Sequence, residues 1–566
     1  MLARDPRAHV IMATFTREAA AEMRRRVGSA PNLRVGSFHS LALVQLRATG
    51  WRRRVASPFV ARSMVDNALS LTGADIEPEL AGEVIARCKI DAGYAQSNPD
   101  VAELAAAYRD QLDAARCCDF TDILVDAVQG MEAGVLAPLP ADHVLCDEFQ
   151  DIDAIQFRWL MAHLAHDSIC CAVGDDDQSI YGFRRALGYV GMMEFVAATG
   201  ARIVVLDTNY RSAGRIVALA ETLIGNNIDR IPKKMHAARE PGLAPRRVPL
   251  ASAKDRDERL ILDLESICGR QPSPRDAQGH VLFRFGVLPG QVAVLARANH
   301  QLRDAHAVLR AARIPALRLG VSIWDVRAAQ LFADLLIALA EGDGPGLELA
   351  LRWGRVPQGV IDDLRARGHG SLHGLLEARH ADLPGGPAVA VFFDWAAHAA
   401  GTFRRRRAAA DEISARIAAI AAWMVDMVTG TCGMDPDEAE EKRLGMLLSD
   451  RAQADIEAVE AVRDMLLRLR GSVKQRLFSA RREREDRVDR VVLTTFHAAK
   501  GLEWDHVIVL DAAQGIVPRL PENGGSDEDL AEERRLFYVA LTRARDGLSI
   551  YAGPGRESEF VAEAFA

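Results

Sequence analysis

Short apolar runs that end in polar residues recur along the chain and predict buried β-strands. Such runs occur at residues 9–15, 34–38, 143–146, 169–173 and 203–206, and segments with helical spacing separate them. Each run has the length of a strand that is buried on both faces. Strands alternating with helices predict a parallel α/β sheet, and the polar residues place its ligand at the carboxyl ends of the strands.

A second group of apolar runs, at residues 292–295, 491–494 and 507–510, predicts a second sheet. One long stretch inside each group, at residues 55–115 and 326–475, has helical spacing and predicts an inserted helical subdomain. The predicted fold class is therefore α/β, with two parallel-sheet lobes that each carry a mostly helical insertion. The predicted division is a first lobe at 1–54 and 116–228, an insertion at 55–115, a second lobe at 229–325 and 476–566, and an insertion at 326–475.

Composition narrows the class of protein. Of the 566 residues, 49% are hydrophobic and 26% are charged, which excludes intrinsic disorder. Eight cysteines without a CxxC pair fit reduced thiols rather than a disulfide framework or a zinc site. No apolar stretch approaches the roughly 18 residues of a membrane span, so we expect a soluble, cytoplasmic protein without a membrane partner. The net charge of −8 disfavours a uniformly basic surface for nucleic acid but allows a local basic groove.

Asp147 and Glu148 directly follow the predicted strand at residues 143–146. Two adjacent acids at a strand end can divide the work of nucleotide hydrolysis. One carboxylate holds Mg²⁺, and the next accepts a proton from the attacking water. The alternative is a solvated loop, because an Asp-Glu pair by itself is common.

The segment at residues 174–184 follows another predicted strand and combines two glycines, three acids, a glutamine and two aromatic residues. Gln178 in this position can orient a water molecule or sense a terminal phosphate. Tyr181, Phe183 and Arg184 offer stacking surfaces for bases. An ordinary surface loop has little reason to gather these residue types in this order, so a functional interpretation is favoured.

These two segments, in this order, resemble motifs of the UvrD/Rep/PcrA family of superfamily 1 DNA helicases. The resemblance covers most of the chain and departs from the usual pattern at Arg17, where Asn is common, and at Trp504, where Phe is common. Further matches are residues 14–23 (motif Ia), 36–40 (motif Ib), 119–122 (a short acidic motif), 209–212 (motif IV), 495–504 (motif V) and 532–544 (motif VI). So many motifs in the family's order exclude chance, and they imply RecA-like lobes that use ATP and Mg²⁺.

The resemblance implies catalytic roles for five residues. Asp147 would bind Mg²⁺, Glu148 would be the general base, and Gln178 would sense the γ-phosphate. Arg211 and Arg543, which we expect in different lobes, would both reach the γ-phosphate. A guanidinium group that arrives from a second lobe acts as an arginine finger and makes closure of the lobes depend on ATP.

The resemblance also implies residues that bind the nucleotide and DNA. Tyr210 would stack on adenine, and Glu503 would contact the ribose. The predicted lining of a single-strand channel is Phe15, Phe38, His39, Tyr181, Phe183, Arg184 and His497. Base-on-aromatic stacking holds a strand without selecting its sequence, as a translocating motor requires. Phe183 replaces the family's usual Trp, and for Phe38 a place in the core is an equally good alternative.

A phosphate-binding loop of the form Gly-x-x-x-x-Gly-Lys-Ser/Thr occurs nowhere in the sequence. Such a loop holds the β- and γ-phosphates with its backbone amides and its lysine. In the family, this loop and a Gln-containing adenine motif precede motif Ia, which begins here at Thr14. We therefore expect both to fall before Met1, and we expect little ATPase activity from the chain as it stands.

The sequence thus predicts an ATP-dependent 3′–5′ DNA helicase or translocase that acts on single-stranded DNA and single-strand/duplex junctions. The polarity follows from the resemblance alone, and repair, replication and recombination all fit. A truncated reading frame of an active helicase is the favoured explanation of the missing loop. The alternatives are one half of a split helicase and a non-hydrolysing DNA-binding or regulatory relative.

Overall fold

The computed structural model describes residues 5–56, 58–164, 168–182, 185–269, 286–319, 346–353, 356–377, 383–404, 490–521, 524–553 and 555–566, with isolated positions between 335 and 342. In this part of the chain, no helix is long and apolar enough to cross a bilayer. The predicted insertion at residues 326–475 is described only in part, as three α-helices that begin at residues 346, 358 and 387 and a 3₁₀ helix at Leu372–Glu377.

The N-terminal elements begin and end where side chains cap them. The first strand is almost fully buried, and Thr16, two residues after its end, accepts a hydrogen bond from the Ala19 amide at 3.1 Å, which starts the first helix. In chain order the elements are β1 (Val10–Thr14), α1 (Arg17–Val27), β2 (Leu33–Ser37), α2 (Phe38–Ala48), β3 (Arg54–Val55), α3 (Pro58–Thr72), α4 (Pro78–Ile90), α5 (Ala92–Ser97), α6 (Pro99–Ala114), β4 (Cys117–Cys118), α7 (Phe120–Glu132), β5 (His143–Cys146), α8 (Ala154–Ala162), β6 (Ile169–Ala172) and α9 (Gly188–Thr199).

Four of these strands form the sheet of the first lobe, in the order β2–β1–β5–β6. All neighbours are parallel, and Val10 of β1 lies opposite His143 of β5, which lies opposite Ile169 of β6. The predicted parallel α/β sheet is therefore confirmed. Its carboxyl edge brings together the residues that follow β1, β5 and β6, because parallel strands end on the same side.

The predicted strand at residues 203–206 is wrong. These residues belong to no strand or helix, and their side chains are exposed, from 41% at Val205 to 78% at Leu206. A strand requires a neighbour that pairs with its backbone, and no described strand lies beside this run. The outer edge of β6 also has no partner among the described strands, and its Ile169 is 61% exposed.

The second lobe follows the same parallel scheme with a larger sheet. Its strand order is β11–β12–β10–β13–β14–β9, and all neighbours are parallel. The elements in chain order are β7 (Thr208–Asn209), α10 (Gly214–Ile224), β8 (His236–Ala237), β9 (Arg246–Pro249), α11 (Ala253–Cys268), β10 (Val292–Ala296), α12 (Asn299–Ala311), β11 (Ala316–Arg318), α13 (Gly346–Trp353), α14 (Gln358–Arg367), α15 (Pro387–Arg404), β12 (Val491–Thr495), α16 (Phe496–Ala499), β13 (Trp504–Val509), α17 (Asp527–Leu541), β14 (Ala544–Ala552) and α18 (Glu559–Ala564).

Helix α10 packs with the second lobe, although the predicted boundary at residue 228 assigns it to the first. Its buried Ile216 and Leu223 belong to the same apolar cluster as Phe537 of α17 and Val507 of β13. The Ser212 hydroxyl, just before α10, donates to the Ala544 carbonyl at 2.6 Å. The neighbouring Arg211 therefore reaches the lobe junction from the side of the second sheet.

Candidate active site

Asp147 and Glu148 lie at the carboxyl end of β5, between the ends of β1 and β6. The Asp147 amide donates to the Ala13 carbonyl at 3.0 Å, which continues the sheet by one residue. Glu148 then takes a left-handed conformation with φ of 53°, which is uncommon outside glycine and clusters at functional sites. Its Oε2 accepts a hydrogen bond from Gln150 Nε2 at 2.7 Å.

The two acids repel each other in a partly buried place. Burial raises the pKa of Asp147, and the adjacent Glu148 carboxylate raises it further. A cation beside these carboxylates would relieve both effects, and carboxylate oxygens are the ligands that Mg²⁺ prefers. The residues present therefore fit a divalent metal ion, with Asp147 as the direct or water-mediated ligand.

Gln178 is held from both sides at the end of a short 3₁₀ turn, Asp176–Gln178, that follows β6. Its Nε2 donates to Asp175 Oδ2 at 2.6 Å, and its Oε1 accepts from Arg543 Nη2 at 3.1 Å. Its backbone carbonyl accepts from Lys500 Nζ at 2.7 Å. Arg543 and Lys500 belong to the second lobe, so Gln178 lies at the junction of the two lobes.

Arg543 carries a guanidinium group that is 1% exposed and bonded to neutral acceptors. These acceptors are the Val539 and Leu502 carbonyls at 2.9 and 3.3 Å, Gln178 Oε1 and the Thr542 hydroxyl. No carboxylate among the described residues forms an ion pair with it. Burial lowers the pKa of Arg543 to about 9, and the charge of Arg211 contributes to that shift. An uncompensated buried cation is complementary to an anion such as a terminal phosphate.

Arg211, Glu503 and Tyr210 form the outer part of this region. Arg211 Nε donates to Glu503 Oε2 at 2.7 Å, so the predicted phosphate ligand and the predicted ribose ligand bind each other in this structure. Tyr210 is 78% exposed and presents its ring to solvent. An exposed aromatic ring is compatible with stacking on a base.

A row of rings crosses the junction next to Gln178. The rings of Phe15, at the end of β1, and Tyr181 are stacked with centroids 5.6 Å apart, and His497 of the second lobe lies 6.4 Å from Tyr181. Lys500 Nζ lies 5.2 Å from the centre of the Tyr181 ring. The structure thus brings together three of the predicted DNA-binding residues from both lobes.

The other predicted DNA-binding residues are placed differently. His39 stacks on Phe120 with ring centroids 3.7 Å apart, and burial together with Arg17 lowers the pKa of His39 to about 3. Phe38 is a core residue: its side chain is 1% exposed and meets Trp159 edge to face, so it does not line a surface channel. Phe183 and Arg184 lie outside the described residues.

The sequence reasoning missed the cations that neutralise the acids of this region. Lys500 Nζ binds both carboxylate oxygens of Asp151, at 2.6 and 2.8 Å, and both side chains are almost fully buried. Lys233 and Arg230 bind the three acids at residues 175–177 in the same way. Buried acids require cationic partners, so the predicted acids already imply that some lysine or arginine lies next to them. The sequence does not show which lysine or arginine that is.

Comparison with known proteins agrees with this arrangement. Residues 4–189 match the UvrD/REP helicase N-terminal domain, and residues 420–552 match the UvrD-like helicase C-terminal domain. The chain is 26% identical over 597 residues to a probable DNA helicase II homolog of Rickettsia conorii, covering 97% of this chain and 86% of the relative. It is 27% identical over 616 residues to the ATP-dependent DNA helicase UvrD1 of Mycobacterium tuberculosis (strain ATCC 25618 / H37Rv), covering 96% and 76%. It is 26% identical over 588 residues to the ATP-dependent DNA helicase PcrA of Leuconostoc citreum, covering 94% and 74%.

The two matched family models place the chain in the helicase class of proteins, and the two parallel-sheet lobes with acids at the strand ends agree with that class. Within that class, the chain belongs to the UvrD/REP helicase family.

Proposed function

We propose that the protein is an ATP-dependent motor that moves 3′ to 5′ along single-stranded DNA and opens single-strand/duplex junctions. The observation that carries the proposal is the contact between Gln178 of the first lobe and the buried Arg543 of the second. This contact connects the strand-end acids to an unpaired cation across the junction of the lobes. A nucleotide bound there would touch both lobes, so each hydrolysis cycle could move one lobe against the other.

The proposed chemistry assigns one task to each residue. Asp147 would hold Mg²⁺, which would supply charge neutralisation on the phosphates. Glu148 accepts the proton of the attacking water, and Gln178 orients that water. Arg543 and Arg211 stabilise the charge that develops on the terminal phosphate. Both arginines come from the side of the second lobe, so closure of the lobes completes the site.

The nucleotide base and the DNA take the outer surfaces of the junction. Tyr210 stacks on adenine, and Glu503 exchanges its bond to Arg211 for the ribose when a phosphate draws Arg211 away. The row of Phe15, Tyr181 and His497 holds bases of one strand, with Lys500 close to the Tyr181 ring. DNA and nucleotide thus share Gln178 and its neighbours, which gives a direct reason for DNA-stimulated hydrolysis. Repair, replication and recombination all supply such DNA.

Steady-state ATPase measurements with and without a single-stranded oligonucleotide test the proposal, on the chain supplied with the phosphate-binding loop that its sequence lacks. We expect DNA to raise turnover, and we expect Glu148→Gln to lower the stimulated rate by about 100-fold or more, because it removes the proton acceptor. Glu194→Gln on the exposed face of α9 is the matched control and keeps the wild-type rate. Duplexes with a 3′ or a 5′ tail test polarity, and unwinding is expected only from the 3′ tail. Equal turnover with and without DNA would contradict the motor.

Full turnover also needs a phosphate-binding loop, which the sequence does not contain. We therefore propose that the 566 residues alone hydrolyse ATP slowly, and that supplying such a loop, fused or as a separate chain, raises the rate. The unpaired outer edge of β6 and the exposed apolar run at residues 203–206 favour this view, because a further strand could pair there. A second candidate function, single-strand binding without turnover, predicts equal affinity for DNA with and without ATP and no gain from the added loop.

A further inference from the structure

Three consecutive acids, Asp175–Asp177, meet two cations from a distant part of the chain. Lys233 Nζ lies 2.5 Å from Asp175 Oδ1, 2.7 Å from Asp176 Oδ1 and 3.0 Å from Asp177 Oδ2. Arg230 binds both oxygens of Asp177, at 2.9 and 2.5 Å. The acids follow β6 of the first lobe, whereas the cations follow α10, which packs with the second lobe. The cluster therefore lies at the lobe junction.

The use of lysine at position 233 is informative in this chain. Only seven of its 70 basic residues are lysines. An ammonium group has three rotatable donors and concentrates its charge at one point, so one lysine can serve three carboxylates at once. The planar fork of arginine suits one carboxylate, as the Arg230–Asp177 pair shows. The side chain of Lys233 is only 10% exposed, so its ammonium group contacts the three carboxylates rather than solvent.

The cluster also decides which way the Gln178 amide points. A carboxylate only accepts hydrogen bonds and a guanidinium group only donates them. With Asp175 ionised on one side and Arg543 on the other, Nε2 must face Asp175 and Oε1 must face Arg543, as the distances of 2.6 and 3.1 Å show. A neutral, protonated Asp175 could donate to Oε1, and the amide could then turn its N–H groups toward Arg543.

We propose that Lys233 is a positioning residue whose ammonium group, by its contact with the Asp175 carboxylate, fixes the orientation of the Gln178 amide toward Arg543. The proposal rests on the proposed function, in which Gln178 and Arg543 act on the nucleotide. Lys233 touches neither of them. It acts on the reaction only through Asp175.

The electrostatics of Asp175 agree with this role. Burial alone would raise the pKa of Asp175, but the charge and the hydrogen bond of Lys233 hold it below its ordinary value. The groups that surround it are Asp176, Asp177, Lys233 and Arg230 in the cluster, and Tyr538 and Arg543 from α17 and the residues after it. Removal of the ammonium group takes away the largest influence that lowers the pKa of Asp175. It leaves burial and two neighbouring acids, which raise that pKa, against the hydrogen bonds of the Gln178 side chain and the Asp177 amide, which lower it.

The test is the pH dependence of DNA-stimulated ATPase activity in Lys233→Met. At pH 7 we expect kcat to fall about tenfold, which corresponds to about 1.4 kcal/mol in the barrier, because part of the enzyme holds a protonated Asp175. At pH 9 the carboxyl group ionises without help, so we expect kcat to recover to within about threefold of wild type. Lys233→Arg keeps the charge and stays within about threefold at both pH values. Lys234→Met, at the exposed neighbouring lysine, is the matched control and follows the wild type.

Asp175→Asn gives the second arm and preserves the shape of the side chain. Its amide can donate or accept at any pH, so we expect about a tenfold loss of kcat that pH 9 does not repair. A lysine that only stabilises the fold would instead give a defect that is equal at pH 7 and pH 9. That outcome overturns the proposal, and so does wild-type kcat in either Lys233→Met or Asp175→Asn.

Hydrogen exchange separates failure of this inference from failure of the proposed function. Deuterium uptake in the peptides around residues 174–182 and 538–545, taken relative to wild type, should rise in Lys233→Met at pH 7 and return at pH 9. This readout requires no turnover. A wild-type protein that shows no DNA-stimulated hydrolysis even with a phosphate-binding loop supplied would contradict the proposed function, while unchanged exchange in Lys233→Met would overturn the role of Lys233.

Discussion

Arg543 is a charged side chain in a place where charge is costly. Its guanidinium group is 1% exposed and has neutral oxygen acceptors. Arg534, two turns earlier, is 6% exposed but binds both oxygens of Glu563 at 2.7 and 2.9 Å, and Asn227 Oδ1 at 2.7 Å. One arginine is therefore paired within the fold, whereas the other is complementary to an anion that the fold does not supply. We therefore expect the first to contribute to stability and the second to lower it in return for the proposed binding of a phosphate.

Substitution of these two arginines by methionine should have opposite consequences. Arg543→Met removes an uncompensated buried charge, so without nucleotide we expect the free energy of unfolding to stay the same or rise by up to about 2 kcal/mol. Its DNA-stimulated turnover should fall by about 10³-fold or more. Arg534→Met leaves Glu563 without its cation and should lose about 3 kcal/mol. Urea unfolding measures the stability of both variants, and ATPase rates measure their turnover. Equal destabilisation of the two variants would contradict the view that Arg534 is paired and Arg543 is not.

At the scale of elements, the acidic segment before α7 caps the helix rather than binding a ligand. Asp119 accepts from the Asp122 amide and Asp122 accepts from the Asp119 amide, both at 2.9 Å, which completes a capping box. Lys89 of α4 binds both carboxylates, at 2.7 and 2.6 Å, and its side chain is 3% exposed. One lysine thereby fastens the helical insertion to the first lobe.

Lys89→Met should destabilise the protein in a pH-dependent way. Removal of the cation leaves two buried acids, so we expect a loss of about 3 kcal/mol at pH 8. Burial and Asp119 already raise the pKa of Asp122, and without Lys89 both acids would bind protons more strongly in the folded state. Stability of the variant then falls as pH rises, so its deficit should be smaller at pH 5 than at pH 8.

Lys254→Met, at a lysine that is 86% exposed, is the control for this substitution. It should stay within about 0.5 kcal/mol of wild type at both pH values. Urea midpoints of the two variants and the wild type decide the prediction. A Lys89→Met deficit that is equal at pH 5 and pH 8 would show that packing, rather than charge, explains the contact.

Hydrophobic pattern predicted most strands of both sheets, because buried parallel strands are short apolar runs between helices. The hydrophobic pattern failed at residues 203–206. An apolar run indicates that a segment favours burial, but it does not indicate that a neighbouring strand is present to pair with it. It also failed for α10: an apolar stripe shows that one face is buried, not which lobe covers it. The strand-end acids were predictable from parallel topology alone, whereas Lys233 was not, because its partners lie 56 to 58 positions away and no local pattern connects them.

At the scale of the whole molecule, the described junction between the lobes is rich in polar contacts. Lys500 binds Asp151, Arg535 Nε donates to the Ser179 carbonyl at 2.9 Å, and the Gly182 amide donates to Glu532 at 2.9 Å. Polar contacts of this kind can be exchanged for water or for ligand groups at small net cost, whereas an apolar core cannot be opened so readily. Ile180 of the first lobe is also fully buried in the apolar cluster of the second lobe, so the junction combines exchangeable polar contacts with an apolar one.

The balance of charge over the whole chain predicts how it holds DNA. The net charge is −8, and the row of Phe15, Tyr181 and His497 offers stacking surfaces beside one lysine, Lys500. We expect binding of single-stranded DNA to rest mainly on stacking, so the slope of log K against log salt should be shallow, between about −1 and −3.

Tyr181→Ala should weaken binding by roughly 1–3 kcal/mol at both low and high salt, because stacking is not screened. Tyr94→Ala, where the ring lies 3.8 Å from the Arg87 guanidinium in the helical insertion, is the aromatic control and should bind as wild type. Fluorescence anisotropy with a labelled oligothymidylate measures the DNA affinity of the wild type and of both variants at several salt concentrations. A wild-type slope of log K against log salt steeper than about −5 would mean that phosphate contacts dominate instead.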